Sequence, residues 1–210
     1  MLNFNFVFLL LLFTLAIISC ISTNYYTART LAKGETVLLP GLDNLLMGSN
    51  EAPKKEIVFT PDMGIARGLC YLLEAGVRYS FPFLLEGNVH YQLNPESFKW
   101  FDLSANLNSG VFFRDNFRQL SNPFLKYGLI LSKRIRSAEP YFSFYFINHF
   151  LSYDNDKEEF LNFKNFTIGI ALPVFKYNKL FPEINYLRSE STGKGIYTFS
   201  IGFRFHFSRN

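Results

Sequence analysis

Between Tyr197 and Phe207 the chain alternates without exception. Tyr197, Phe199, Ile201, Phe203, Phe205 and Phe207 fall on one face; Thr198, Ser200, Gly202, Arg204 and His206 fall on the other. A period of two marks a β-strand, because successive side chains leave a pleated backbone on opposite sides. The same period recurs upstream. Leu73, Ala75, Val77, Tyr79 and Phe81 oppose Glu74, Gly76, Arg78 and Ser80, and Leu85, Val89, Tyr91 and Leu93 oppose Glu86, Asn88, His90 and Gln92. Phe101, Leu103, Ala105, Leu107 and Val111 oppose Asp102, Ser104, Asn106, Asn108 and Gly110. Phe166, Ile168, Ile170, Leu172 and Val174 oppose Asn165, Thr167, Gly169 and Ala171. In Tyr141–Phe146, Phe alternates with Tyr and Ser, and the polar face is poorly defined.

Turn-forming stretches separate these runs, among them Asn94-Pro95-Glu96-Ser97, Arg136-Ser137-Ala138-Glu139-Pro140 and Ser191-Thr192-Gly193-Lys194-Gly195. The pattern predicts an all-β, up-and-down antiparallel meander of about ten strands, at roughly 36–47, 55–66, 71–80, 84–93, 98–113, 123–135, 140–153, 163–174, 180–189 and 196–207. Eight strands also fit, because residues 24–50 alternate badly and would then be a plug or an extended lead-in.

Alternation alone suits a lipocalin-like barrel, apolar inside, and a transmembrane barrel, apolar outside. Size favours the second. The chain has 26 Phe and 12 Tyr in 210 residues, and its aromatics recur on nearly every strand. The interior of an eight- to ten-stranded barrel is only wide enough to be filled by side chains, and these would overfill it. The opposite face, of Gly, Ser, Thr and Asn with scattered charges, suits a narrow wet lumen. The runs are also close to the length of a tilted membrane-crossing strand.

The ends of the chain carry motifs. Residues 2–18 are almost uninterruptedly apolar, as in an export signal, and end at Ile17-Ile18-Ser19-Cys20. This ending resembles the lipobox of bacterial lipoproteins, although the first basic residue comes only at Arg29. The resemblance implies a signal peptide over 1–19, lipidation of Cys20, a lipid-tethered lead-in over 20–35 and a barrel domain over 36–210. At the other end, Ser200, Gly202, Phe205 and Phe207 resemble the terminal-strand signal of outer-membrane proteins. That likeness implies recognition by the outer-membrane assembly machinery through strand addition. Thr27-Ala28-Arg29-Thr30-Leu31 looks like the lead-in of a group of small, uncharacterised bacterial outer-membrane β-barrel lipoproteins. These resemblances place the chain in the bacterial outer membrane, with the lipid bilayer as its partner.

Other chemistry is scarce. The basic residues are scattered, only Lys133-Arg134-Ile135-Arg136 clustering, so no nucleic-acid stripe exists. Two cysteines make no disulfide scaffold and, without supporting His spacing, no zinc site. No cofactor or metal is expected. Ser191–Gly195 lacks the upstream glycine of a phosphate loop and is followed by a strand. Glu74, Arg78, Glu86, His90, Asp102, Arg204 and His206, with Glu183, fall on the lumen face, where buried charges persist only when paired. Their pairing would block the pore. His149, with Ser152 nearby, is placed near a rim and is the one histidine available for interfacial chemistry. The leading expectation is a non-enzymatic barrel with a structural, surface-interaction or minor solute-passage role, its surface ligand unidentified. A membrane-embedded lipid-modifying enzyme and a lipid-tethered lipocalin-like carrier are the alternatives.

Overall fold

Period-two segments joined by short turns pair with their neighbours in order, and here they also close on themselves. The computed structural model describes residues 25–47, 56–80, 84–94, 98, 100–114, 119–152, 158–175 and 177–207. Ten strands make one closed antiparallel barrel: β1 (Thr36–Met47), β2 (Glu56–Cys70), β3 (Leu73–Ser80), β4 (Leu84–Gln92), β5 (Asp102–Arg114), β6 (Gln119–Ser132), β7 (Glu139–Ser152), β8 (Glu158–Pro173), β9 (Lys179–Ser189) and β10 (Gly195–Phe207). Each strand pairs with its sequence neighbours, and β1 closes on β10 through Thr36↔Phe207 and Gly41↔Gly202. No edge is left unpaired, which removes the usual hazard of strand addition by other chains.

The start of β1 and the end of β10 lie at the same end of the barrel, termed here the terminal rim. The β2–β3, β4–β5, β6–β7 and β8–β9 connections share that rim. The ten-strand reading holds because Thr36–Met47 pairs on both sides, with β2 and β10. Its alternation is weak for a physical reason. Inward-facing Val37 and Leu39 are as apolar as outward-facing Leu38, since they pack against another part of the chain inside the barrel.

Several boundaries differ from the sequence expectation, β8 starting at Glu158 instead of near 163 among them, and three have a visible local cause. β2 continues to Cys70 through an irregularity between Gly68 and Cys70, then turns through Tyr71-Leu72 with Leu72 at φ 63°. β5 begins only at Asp102, because residues before it belong to an aromatic loop held by Asn94. β6 begins earlier, at Gln119, and crosses Pro123 by shifting register between Val111 and Phe112. Such a bulge accommodates a residue that has no N–H to give to the ladder.

The apolar face is outside. Met63, Ile65, Val77, Val89, Leu107, Leu129, Phe142, Ile168, Ile184 and Phe199 are all exposed. Charged residues of the outer wall lie toward its ends: Arg67 near the terminal rim, and Lys164 paired with Glu190 at 2.7 Å near the other. A belt this continuous is far beyond the apolar patch a soluble monomer exposes. It is the reverse of a lipocalin-like carrier.

The belt's solvent can be tested at a position that is already exposed. Ile184, 56 % exposed at the middle of β9, meets no protein that a longer side chain would disturb. Ile184→Arg should be near neutral for a barrel in water but should cost about 2–4 kcal/mol in a bilayer. Denaturant titration of the barrel folded into vesicles measures the difference, and a neutral result there would count against lipid contact.

Candidate functional site

The lumen is filled, and the N-terminal segment helps fill it. Tyr25, Tyr26, Thr27, Ala28 and Leu31 are all buried inside the barrel. The segment runs from mid-height at Tyr25 to the terminal rim, where Gly34 N–H donates to Gly68 O at 2.8 Å and Gly68 N–H donates to Glu35 O at 3.0 Å. It has no strand ladder of its own, so its backbone donors must find other acceptors. The barrel wall supplies them. Tyr25 N–H donates to Glu183 Oε1 at 2.9 Å, Ala28 N–H to Ser132 Oγ at 3.1 Å, and Leu31 N–H to Glu74 Oε2 at 2.7 Å.

Side chains complete the attachment. Arg29 Nε meets Asp102 Oδ2 at 2.7 Å, and Asn88 Nδ2 donates to the Tyr26 hydroxyl at 2.9 Å. Arg204 Nη2 donates to Tyr25 O at 3.3 Å, while its guanidinium lies over the rings of Tyr26 and Phe181 at 5.6 and 5.4 Å. Burial, reinforced by the Glu74 carboxylate, pushes the Tyr26 hydroxyl well above its ordinary pKa, so it stays neutral.

Two glycines make the seat for Tyr25. Gly41 and Gly202 face each other across the β1–β10 seam, and the Tyr25 ring fills the space where their Cβ atoms would be. A Cβ on either would lie 2.1 or 2.0 Å from that ring. The Tyr25 hydroxyl then accepts the N–H of Leu42 at 2.8 Å.

Around the plug the charged residues form small groups. Arg78 pairs with Glu86 at 3.0 Å and stands 3.9 Å from Asp62. Glu139 takes Lys179 at 2.9 Å and the Ser132 hydroxyl at 2.9 Å. Glu183 also accepts from the hydroxyls of Tyr141 and Ser200. His206 Nδ1 meets Glu35 Oε1 at 2.6 Å. At the end away from the terminal rim the lumen turns apolar, closed by Leu84, Phe124 and Ile147 with Phe112, Phe163 and Leu187 against them.

The structure thus places Glu74, Arg78, Glu86, His90, Asp102 and Arg204 buried inside the lumen, with His206 half-buried near the terminal rim. They stand in separate clusters linked by the plug. Ser200 and Gly202 point inward, and Phe205 and Phe207 point outward. Cys20 and the signal region lie outside the described residues. His149 is not at an interfacial surface; its ring packs in the apolar cap, 4.9 Å from that of Phe112. The narrow lumen is not filled by paired charges alone, because Tyr141, Tyr145, Phe181 and the plug also occupy it.

Tyr25, Tyr26, Arg29, Lys126, Glu139 and Lys179 escaped the sequence reading. A signal for the plug existed. Among the described residues the lumen face of the wall carries Asp62, Glu74, Glu86, Asp102, Glu139 and Glu183 against Arg78, Lys126, Lys179 and Arg204, an excess of acceptors that requires donors from elsewhere.

One cluster has the geometry of a nucleophile relay. His90 Nε2 lies 2.7 Å from Ser104 Oγ, and His90 Nδ1 lies 3.3 Å from Glu74 Oε1. A Ser–His–carboxylate series can activate the hydroxyl, but only where a substrate can reach it. All three residues have zero exposure; the Tyr26 ring lies 5.5 Å from the His90 ring and Leu31 holds Glu74. With the plug seated, this is an interior polar network. Among the described residues, no group of His, Cys, Asp and Glu is arranged to hold a metal.

No protein-family model and no curated protein matches the chain. Solved structures similar to it include an outer membrane channel of Pseudomonas putida F1, with 11% identity, covering 90% of this chain and 100% of that one, at TM-score 0.46. Another is the N-terminal β-barrel domain of Pseudomonas aeruginosa OprF, with 11% identity, 83% and 100% coverage, and TM-score 0.42. A third is the outer membrane protease OmpT of Escherichia coli, with 10% identity, 86% and 98% coverage, and TM-score 0.38. These proteins differ in activity, and the role of this chain is read from its own residues.

The glycine seat yields a direct expectation. In a background with both native cysteines changed to Ser, Ala28→Cys should be protected from maleimide, since Ala28 is fully buried. Adding Gly41→Val should expel the Tyr25 ring, loosen the plug and expose that thiol in a barrel that still shows heat-modifiable gel mobility. Continued protection would mean that Tyr25 is not what anchors the segment.

Proposed function

We propose that the protein is a lipid-tethered bacterial outer-membrane barrel, stoppered by its own N-terminal segment and acting through its surfaces instead of conducting solutes. The observation that carries this reading is the seating of Tyr25–Leu31 in the lumen, each end hydrogen-bonded to a buried wall carboxylate. The exposed apolar belt supports bilayer residence. An even number of strands puts both strand termini on one side, so a chain inserted from the periplasm leaves the terminal rim there and passes only hairpins across. In this reading Cys20 bears the lipid and the last strand addresses the assembly machinery.

Planar-bilayer recording tests the stopper. The intact protein should give no sustained conductance. Removing Tyr25 to Leu31, with Leu84, Phe124 and Ile147 of the apolar cap also cut back to Ala, should open steps in preparations whose gel mobility shows a folded barrel. Steady conductance from the intact protein would overturn the stoppered reading.

The assembly role has its own test. Deleting Phe205 to Asn210 should leave an exported chain that fails to fold and is degraded, because it removes outward-facing Phe205 and Phe207 and, with His206, the pairing to Thr36, Val37 and Leu38 of β1. Deleting only Ser208 to Asn210 should be tolerated. Normal membrane assembly after the longer deletion would rule out the terminal strand as the signal.

A further inference from the structure

The outer wall carries a recess at the terminal rim. Phe98, Trp100 and Phe101 of the β4–β5 connection stand with Leu131, Phe142 and Ile168 of β6, β7 and β8 around a groove of about 790 Å³. Its aromatic side is held in place. Asn94 Nδ2 donates to Phe101 O at 2.7 Å, Leu103 N–H donates to Asn94 Oδ1 at 2.6 Å, and the Phe98 and Phe101 rings meet edge-on at 5.1 Å. The lining is almost entirely hydrocarbon, and Lys133 is its one charged residue among the described residues.

Lys133 begins the β6–β7 turn, where Arg134 and Arg136 are also exposed. Among the described residues no ion pair engages the Lys133 ammonium. The carboxylates on the flanking strands face the other way: Asp102 and Glu139 point into the lumen and are paired there with Arg29 and Lys179. Among the described residues the outer side of this rim is therefore basic without a protein counter-charge, directly beside an apolar groove.

We propose that the groove binds an anionic phospholipid, its acyl chain against Leu131, Phe142 and Ile168 and its phosphate paired with Lys133. The inference rests on the membrane-embedded reading above. A lipid merely filling the belt has no reason to prefer one headgroup; a lipid held by Lys133 does. An anionic headgroup gains from each basic residue at the membrane surface, enough for about fivefold enrichment per side chain.

Trp100 is the only tryptophan, so its fluorescence reports on the groove. The full barrel is reconstituted in phosphatidylcholine vesicles carrying a minor fraction of dibrominated phosphatidylglycerol, or the same fraction of dibrominated phosphatidylcholine. Phosphatidylglycerol should quench Trp100 at about fivefold lower mole fraction. Lys133→Gln should remove that preference, while Arg67→Gln, at an exposed outer-wall position on β2, should keep it. Equal quenching by the two lipids would overturn the proposal, as would loss of preference in Arg67→Gln. Vesicles made wholly of dibrominated phosphatidylcholine separate the two readings. Strong quenching there with no headgroup preference sinks the lipid site alone, and no quenching sinks the membrane placement itself.

Discussion

The contact between Tyr25 and the paired glycines Gly41 and Gly202 joins the two halves of this structure. It lies on the seam where β1 meets β10, so the residues that close the barrel are also those that receive the plug. A side chain at either glycine would occupy the ring's place. The seam has no spare volume, and the ring leaves none in it. Close packing of this kind is intolerant of a single added carbon, because the interior has no void to take it up.

The electrostatics point the same way. An ionised carboxylate taken out of water costs several kcal/mol unless charge or donors compensate. Glu74, Asp102 and Glu183 are each nearly fully buried. The wall offers them partial compensation: His90 for Glu74, and the Tyr141 and Ser200 hydroxyls for Glu183. The plug adds a backbone N–H to two of them and the Arg29 guanidinium to the third. Those same bonds satisfy donors of a segment that has no ladder. Wall and plug are each incomplete alone, which is why the lumen is sealed by specific contacts instead of by bulk. Ser104, His90 and Glu74 are covered as a consequence.

Most of the barrel was legible from period two, since one solvent lay on each side of most strands. β3, β4, β5, β8 and β10 read cleanly because small or polar residues face the lumen and apolar ones face out. β1 and β7 read poorly for a shared reason. Their inward residues, Val37 and Leu39 or Tyr141 and Tyr145, join the buried cluster that includes Tyr25 and Tyr26. With apolar side chains on both faces, alternation fades. The plug itself had no periodicity to detect, because its conformation is set by acceptors on β2, β3, β5, β6 and β9, far away in sequence. Tyr25 and Glu183, separated by 158 positions, meet only in the closed barrel. The excess of lumen carboxylates was its trace in composition.

That separation also constrains how the structure can come together. The Tyr25 seat has one side on the first strand and the other on the last, so it does not exist until β1 and β10 pair. Glu183, the acceptor for Tyr25 N–H, is on β9, next to that seam. Leu31 and Arg29 differ, since Glu74 and Asp102 lie on β3 and β5. The rim end of the plug can therefore dock on a partly formed sheet, whereas its inner end can lock only after closure. Gly202 connects these events: it belongs to the terminal pattern of the last strand and supplies half of the seat. Pairing of the final strand with the first and sealing of the lumen are coupled through one residue that must have no side chain.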